Sequence, residues 1–174
     1  ATEGTHTYEG VYLNDGDGKG WTLDNNYSVP LYFNDPGDGG ARLIDVNNDG
    51  LADILYSRDP YGAPGAESKI YLNKGDGTGW DLVSTTTLPF VFVMDNSDHV
   101  TRLADMNDDG LIDVVYSNYP TIFTLEQGVY INNGKLGWEE DTDYVLPEVE
   151  FTYTGYDNGF RVLDIDGDRL PDFV

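Results

Sequence analysis

Apolar residues come along this chain in short bursts separated by polar, glycine-rich clusters. "VYLN" (residues 11–14), "ARLIDV" (41–46), "DILYS" (53–57) and "IYLN" (70–73) are rich in β-branched and aromatic side chains, and each is only four to six residues long. Bursts of this length and composition predict strands. "DGDGKG", "KGDGTG" and "NNGKLG" each lead from such a burst into a Gly-Trp segment, which predicts tight hairpins. No window keeps a 3.6-residue apolar period between caps, so helices are minor at most.

The bursts recur at a fixed period. Tyr12, Tyr71 and Tyr130 sit in "VYLN", "IYLN" and "VYIN", 59 residues apart. Trp21, Trp80 and Trp138 each follow a Gly, Pro30, Pro89 and Pro147 lie nine residues beyond each Trp, and Arg42, Arg102 and Arg161 open "RLIDV", "RLADM" and "RVLDI". Small insertions fall only between these anchors, where loops belong. Four short strands per unit at this period predict an all-β fold of β-propeller blades: three four-stranded units of about 59 residues in a single domain or part-domain. The units run approximately 40–98, 99–158, and 159–174 completed by 1–39. A solenoid of parallel coils would have shorter repeats.

The third unit reaches "DFV" without a "VYLN…GW" hairpin, and one such hairpin precedes the first unit. Three blades are fewer than propellers use. The chain is therefore expected either to pair with a second copy into a six-bladed ring, or to be an excerpt of a longer propeller.

Each unit also carries one acidic nonapeptide between two apolar bursts: "DVNNDGLAD" (45–53), "DMNDDGLID" (105–113) and "DIDGDRLPD" (164–172). Side-chain oxygens fall at positions 1, 3, 5 and 9. These are Asp45, Asn47, Asp49 and Asp53, then Asp105, Asn107, Asp109 and Asp113, then Asp164, Asp166, Asp168 and Asp172. Ca²⁺ takes six to eight oxygens at about 2.3–2.6 Å, and a tight loop can wrap alternate side chains around it. The carbonyls of Leu51, Leu111 and Leu170 at position 7 are the next expected ligands, with the Leu side chains packing into the blade. Gly50 and Gly110 at position 6 permit the positive φ of a sharp turn; Arg169 replaces the Gly in the third copy. Donors without His or Cys favour Ca²⁺ over zinc or copper, so three calcium sites are expected, one per repeat. Turn chemistry alone explains Asn or Asp before Gly, but not Asp at positions 1 and 9 of every copy. An EF-hand would need Glu at position 12, where Tyr56 and Tyr116 stand.

Charge fits that expectation. The chain has 32 Asp plus Glu against 9 Lys plus Arg, a net charge of −23, which disfavours nucleic acid and anionic lipid as partners and favours cations and basic partners. Solubility or salt adaptation would give the same composition, but the carboxylates are ordered. No cysteine is present, which removes thiol chemistry and Cys-based zinc. No apolar run approaches the roughly 18 residues of a membrane span. "ATEGTHTYEG" lacks the basic start and apolar stretch of a signal peptide, so a secreted form is expected to have lost its signal already.

The motif D-h-[DN]-x-D-G-h-x-D between two short strands, recurring at about 60 residues, resembles the FG-GAP/VCBS-type repeats of integrin α-subunit-like β-propellers. The resemblance covers essentially the whole chain. It implies calcium held between the first two strands of a blade, in extracellular adhesion proteins, lectins and the propeller parts of bacterial surface or toxin proteins. It implies no particular ligand. The Phe-Gly and Gly-Ala-Pro signatures are poorly met, "GAP" occurring only at residues 62–64.

Catalytic patterns are lacking. His6 and His99 have no partner at ligand spacing, and Ser57 and Ser117 lack a Gly-x-Ser-x-Gly context. The acidic first hairpin "NDGDGKGW" reads as a turn, because its counterparts "NKGDGTGW" and "NNGKLGW" replace or lose the carboxylates. The repeated Trp residues read as packing between blades, whereas Tyr61, Phe123, Tyr153 and Tyr156, in variable segments, are candidates for a binding surface. The expected protein is a non-enzymatic, secreted or cell-surface, calcium-stabilised propeller module for adhesion, binding or assembly, with a protein or glycan ligand. The alternatives are a lectin and the propeller part of a larger surface or toxin protein.

Overall fold

The computed structural model describes residues 10–33, 38–59, 66–85, 88–94, 97–98, 101–121, 124–153 and 156–174. Their regular structure is entirely β. β1 (Val11–Asn14) and β2 (Trp21–Asp24) form a hairpin in which Asn14 faces Trp21. β3 (Ala41–Ile44), β4 (Asp53–Asp59), β5 (Glu67–Asn73) and β6 (Trp80–Ser84) follow as an antiparallel meander. β7 (Val93–Met94) then pairs parallel to the end of β4 and antiparallel to β8 (Ser97–Asp98).

The second complete meander is β9 (Thr101–Ala104), β10 (Asp113–Thr121), β11 (Thr124–Asn132) and β12 (Trp138–Asp141). A short hairpin, β13 (Thr152–Tyr153) with β14 (Tyr156–Asp157), leads to a last pair, β15 (Val162–Leu163) and β16 (Asp172–Phe173). The architecture is all-β with several separate antiparallel sheets that do not close on one another, and the two meanders have the form of propeller blades. The anticipated four strands per unit are present in full in two blades. β1–β2 and β15–β16 are half-blades. The two-residue pairs β7–β8 and β13–β14 were not anticipated.

Packing follows from strand alternation. On β4 and β5, Ile54 and Tyr71 face one way into a cluster with Ala41, Leu31 and Trp80. Their neighbours Leu55 and Ile70 face the other way, into a larger core with Phe90 and Phe92 that is shared with Val114 and Trp138 of the next unit. On the second blade, Val115 and Val129 turn to a third cluster with Met106, Phe151, Val162 and Phe173. Each blade thus buries both faces, so Ile54, Leu55, Val114 and Val115 are all fully buried in succession. Each such aliphatic contributes on the order of 1.5–3 kcal/mol.

The repeated Trp residues play unequal parts. Trp138 is buried edge-on against Phe90, ring centroids 5.6 Å apart, in the core between the blades. Trp80 is half-buried, donates to the Ala52 carbonyl at 2.7 Å and lies 5.6 Å from Tyr27. Trp21 is exposed. Packing between blades is therefore confirmed for Trp138 and corrected for Trp21, which nothing covers among the described residues.

The repeated arginines form the seam between units. Arg42 lies over the Phe92 ring at 5.0 Å, and Arg102 over the Phe151 ring at 5.1 Å. Arg102 also donates to the Phe160 carbonyl (3.1 Å) and to Asp157 Oδ1 (3.0 Å), while Asp157 binds Arg161 as well. Each of these two arginines thereby joins its blade to the segment that opens the next. Such a stack is worth about 0.5–2 kcal/mol, more where the cation is desolvated.

Candidate metal centres

The three nonapeptides each bridge the first and second strands of a unit: β3 to β4, β9 to β10, and β15 to β16. Their backbone is folded by the carboxylates themselves. In the first loop the Asp49 N–H donates to Asp45 Oδ1 (3.1 Å) and to Asn47 Oδ1 (3.1 Å), and the Gly50 N–H to Asp45 Oδ2 (2.7 Å). The Leu51 N–H donates to Asp49 Oδ1 (2.9 Å), and the Asn47 amide to Asp49 Oδ2 (3.0 Å). The second loop repeats every bond among Asp105, Asn107, Asp109, Gly110 and Leu111 at 2.8–3.1 Å. In the third, Asp164 accepts from Gly167 and Arg169, Asp166 from Asp168, and Asp168 from Leu170.

These bonds need two left-handed residues per loop. Position 4 holds Asn48 (φ 60°), Asp108 (φ 57°) and Gly167 (φ 86°); position 6 holds Gly50 (φ 85°), Gly110 (φ 86°) and Arg169 (φ 75°). The role expected of the position-6 glycines is met, and Arg169 adopts the same conformation against the preference of a residue with a Cβ. Its guanidinium lies 3.8 Å from Asp108 Oδ2 of the neighbouring loop. Position 4 escaped the sequence reading, although Asn, Asp and Gly are the three residues that best tolerate a left-handed backbone.

Position 9 differs from the others. Asp53 and Asp113 are fully buried. Asp53 Oδ2 accepts the Val46 N–H at 3.1 Å, and its Oδ1 accepts the Asn73 N–H of β5 at 2.8 Å. Asp113 accepts Met106 and Asn132 at 2.8 Å each. One carboxylate thus fastens its loop to the third strand of the blade. Burial pushes both carboxyls above the ordinary Asp value, against the lowering effect of those N–H donors; repulsion from Asp49 and Asp45, or from Asp109 and Asp105, pushes the same way. The Asp172 Oδ2 accepts the Ile165 N–H at 3.0 Å, and among the described residues no N–H takes the place of Asn73 on its other oxygen.

Asn73 and Asn132 were missed as site residues. Their signal was in plain view, because every repeated Tyr is followed two residues later by Asn: "YLN", "YLN", "YIN". The Asn132 amide also donates to the Val46 carbonyl at 3.0 Å, which ties the first loop to the second blade.

The position-7 expectation needs a correction. Leu51 and Leu170 are exposed at the surface and Leu111 is half-buried, so their side chains do not enter the blade core. Leu51 and Leu111 lie instead over the hairpin turns at Gly75 and Gly134, where the missing Cβ leaves room for them. The tight loop turns position 7 sideways, toward the β5–β6 or β11–β12 turn.

His6, His99, Tyr61 and Phe123 lie outside the described residues, as do the side chains of Tyr153 and Tyr156. Ser57 and Ser117 are buried on backbone carbonyls of Phe90 and Val149, which suits a structural part. The first hairpin is a turn in which Asn14 Oδ1 accepts Gly16 and the Asp15 N–H donates to Gly20.

The donor set suits a hard cation. Among the described residues one trio of carboxylates converges: oxygens of Asp164, Asp166 and Asp172 lie within 4.8 Å of one another, without Asp168; in the other two loops repulsion from the carboxylates at positions 1 and 5 helps to raise position 9. A carboxylate has about four lone-pair sites, so an oxygen that accepts an N–H can still ligate. Such a site offers oxygen and negative charge only, which favours Ca²⁺ or Mg²⁺ over softer metals.

Stacked four-stranded blades, each with an oxygen-lined loop between its first two strands, define a repeat module of the β-propeller type. Residues 45–116 match the model of FG-GAP-like repeats, from the first Asp of the first loop through the whole second loop into β10. No curated protein and no solved structure matches the chain significantly.

Proposed function

We propose that this is a non-enzymatic, calcium-stabilised propeller-type module serving extracellular adhesion, binding or assembly. The observation that carries the reading is the identical hydrogen-bonded frame of the first two loops, echoed in the third, with oxygens at positions 1, 3, 5 and 9. Asp45, Asn47, Asp49 and Asp53 would hold the first ion, their counterparts the second and third, with the Leu51, Leu111 and Leu170 carbonyls as further ligands. A bound Ca²⁺ supplies two positive charges among carboxylates that otherwise repel one another. The chain's own part is to fix those oxygens, and position 9 passes the order on to the third strand of the blade.

Extracellular placement is supported by the FG-GAP-like repeat and by the site chemistry. Loops open to solvent suit affinities of about 10⁻⁴–10⁻³ M, the range of extracellular calcium-binding modules. Ordered carboxylates taken up as ligands, and serines bonded to backbone carbonyls, support a binding module rather than an enzyme. A glycan array in calcium-replete buffer tests the choice between protein and sugar partners. No glycan is expected to be captured, and saturable binding of any glycan would make the module a lectin.

A further inference from the structure

The second acidic loop reaches the first through one side chain. The Asn132 N–H donates to Asp113 Oδ1 at 2.8 Å, and the Asn132 amide donates to the Val46 carbonyl at 3.0 Å. The Val46 N–H in turn donates to Asp53 Oδ2 at 3.1 Å. Three hydrogen bonds thus run from the position-9 carboxylate of the second loop to the position-9 carboxylate of the first. Every member is buried: Asp53, Val46 and Asp113 completely, Asn132 at 1% exposure.

The counterpart Asn73 is used differently. Its N–H holds Asp53 in the same way, but its amide donates to the Ala52 carbonyl of its own loop at 3.1 Å, and it is half-buried. One repeat position therefore serves a single loop in the first blade and joins two loops in the second.

A second contact, independent of Asn132, sets the loops side by side. A Cβ on Gly110, at position 6 of the second loop, would stand 3.3 Å from Nδ2 of Asn48, at position 4 of the first. Arg169, at position 6 of the third loop, meets Asp108, at position 4 of the second, at 3.8 Å. Position 4 of one loop so faces position 6 of the next, and these are the left-handed residues on which each carboxylate frame depends.

We propose that the first two calcium sites are coupled, with Asn132 as the positioning residue that carries the coupling, so that filling either loop raises the affinity of the other. The inference rests on the calcium reading of the loops. Each loop has two arrangements, its carboxylates gathered on an ion or pushed apart by their own charge. Gathering Asp113 fixes the Asn132 N–H and, through the amide, the Val46 peptide that holds Asp53. Part of the ordering that the other site requires is then already done. Charge works the other way, since the first ion removes part of the negative field that attracts the second. That effect passes between exposed loop tips and is screened beyond about 8 Å at physiological ionic strength. The relay is buried, where hydrogen bonds are strengthened rather than screened, so the net coupling is positive.

Amide NMR during a calcium titration reads the two loops separately, through the Gly50 and Gly110 N–H groups that donate to Asp45 and Asp105. Asp45→Ala, which disables the first site, should weaken calcium binding at Gly110 by at least about fivefold, the low end of usual coupling between sites. Asp105→Ala should weaken binding at Gly50 by the same factor, because coupling is reciprocal. Adding Asn132→Ala should abolish both effects, whereas adding Asn73→Ala should leave them intact. Asn132→Val, which suits a strand, takes the place of the alanine variant should that one not fold. The Asn132 bond to Asp113 is made by the backbone, so the second site itself survives either substitution. Equal or tighter binding at Gly110 without Asp45, unequal factors in the two directions, or coupling that outlasts Asn132 or disappears with Asn73 would overturn the proposal. Calcium that moves neither amide would sink the calcium reading and this proposal with it, while calcium that fills both loops independently would sink the coupling alone.

Discussion

Chelating calcium is expected to lower the unfolding midpoint by tens of degrees at most and by several degrees at least. An ion at a hundred times its dissociation constant stabilises the folded chain by about 2.7 kcal/mol per site. For a chain of this size, 1 kcal/mol shifts the midpoint by about 2–4 °C. One site therefore accounts for about 5–11 °C, and three independent sites for up to three times that. The loops explain why the loss should be large. Without the ion, carboxylates at positions 1, 5 and 9 stand close enough for Asp45 and Asp49 to push Asp53 up, and Asp105 and Asp109 to push Asp113 up.

The pH dependence follows in sign. In chelator, the folded state holds the Asp53 and Asp113 protons more tightly than the unfolded chain, over a window running upward from about pH 3.8. Their contribution to stability therefore falls as pH rises through that window. Calcium favours the charged form, so the gap between calcium and chelator should narrow as pH falls toward the same window. Differential scanning calorimetry across pH measures it, and an equal midpoint with and without calcium at neutral pH would contradict the account.

Asp113→Ala should be the most damaging single substitution in either complete blade's loop. It removes a fully buried carboxylate and orphans the Met106 and Asn132 N–H groups, which both bond to it at 2.8 Å. Buried donors left unsatisfied cost about 1–3 kcal/mol each, so a loss of roughly 2–6 kcal/mol is expected even in chelator. Asp109→Ala touches an exposed part of the loop and should cost little in chelator, its effect showing only with calcium. Denaturant unfolding of the two variants in both buffers separates them. If Asp113→Ala cost no more than Asp109→Ala without calcium, position 9 would not be the fastening described above.

Much of this was legible from sequence because the units repeat. The Gly/Asn/Asp turn clusters and the bursts between them gave the four strands of each complete blade, and the threefold nonapeptide marked the loops. What the sequence did not reveal was set by partners distant in the chain. β7 exists because Val93 and Met94 pair with Arg58 and Asp59 of β4, and no local alternation announces it. Trp21, Trp80 and Trp138 occupy one repeat position, yet their burial differs because, among the described residues, only Trp138 has a complete blade on the facing side.

Asn73 and Asn132 show the opposite case. They repeat as faithfully as Tyr71 and Tyr130, but a backbone N–H carries their contact to Asp53 and Asp113, and side-chain identity says nothing about backbone donors. Leu51 and Leu111 follow a third rule. Apolar character suggested the core, while the tight turn before them directs them over the glycine of the next hairpin.

The central claim is that each acidic nonapeptide is a calcium clip. Its most direct test is to count calcium bound at saturation, by equilibrium dialysis followed by elemental analysis, on the intact chain and on Asp45→Ala, Asp105→Ala and Asp164→Ala variants. The account predicts three ions per chain, with one lost in each variant. An intact chain that binds none, or that keeps its full complement when Asp45, Asp105 or Asp164 is removed, would contradict it.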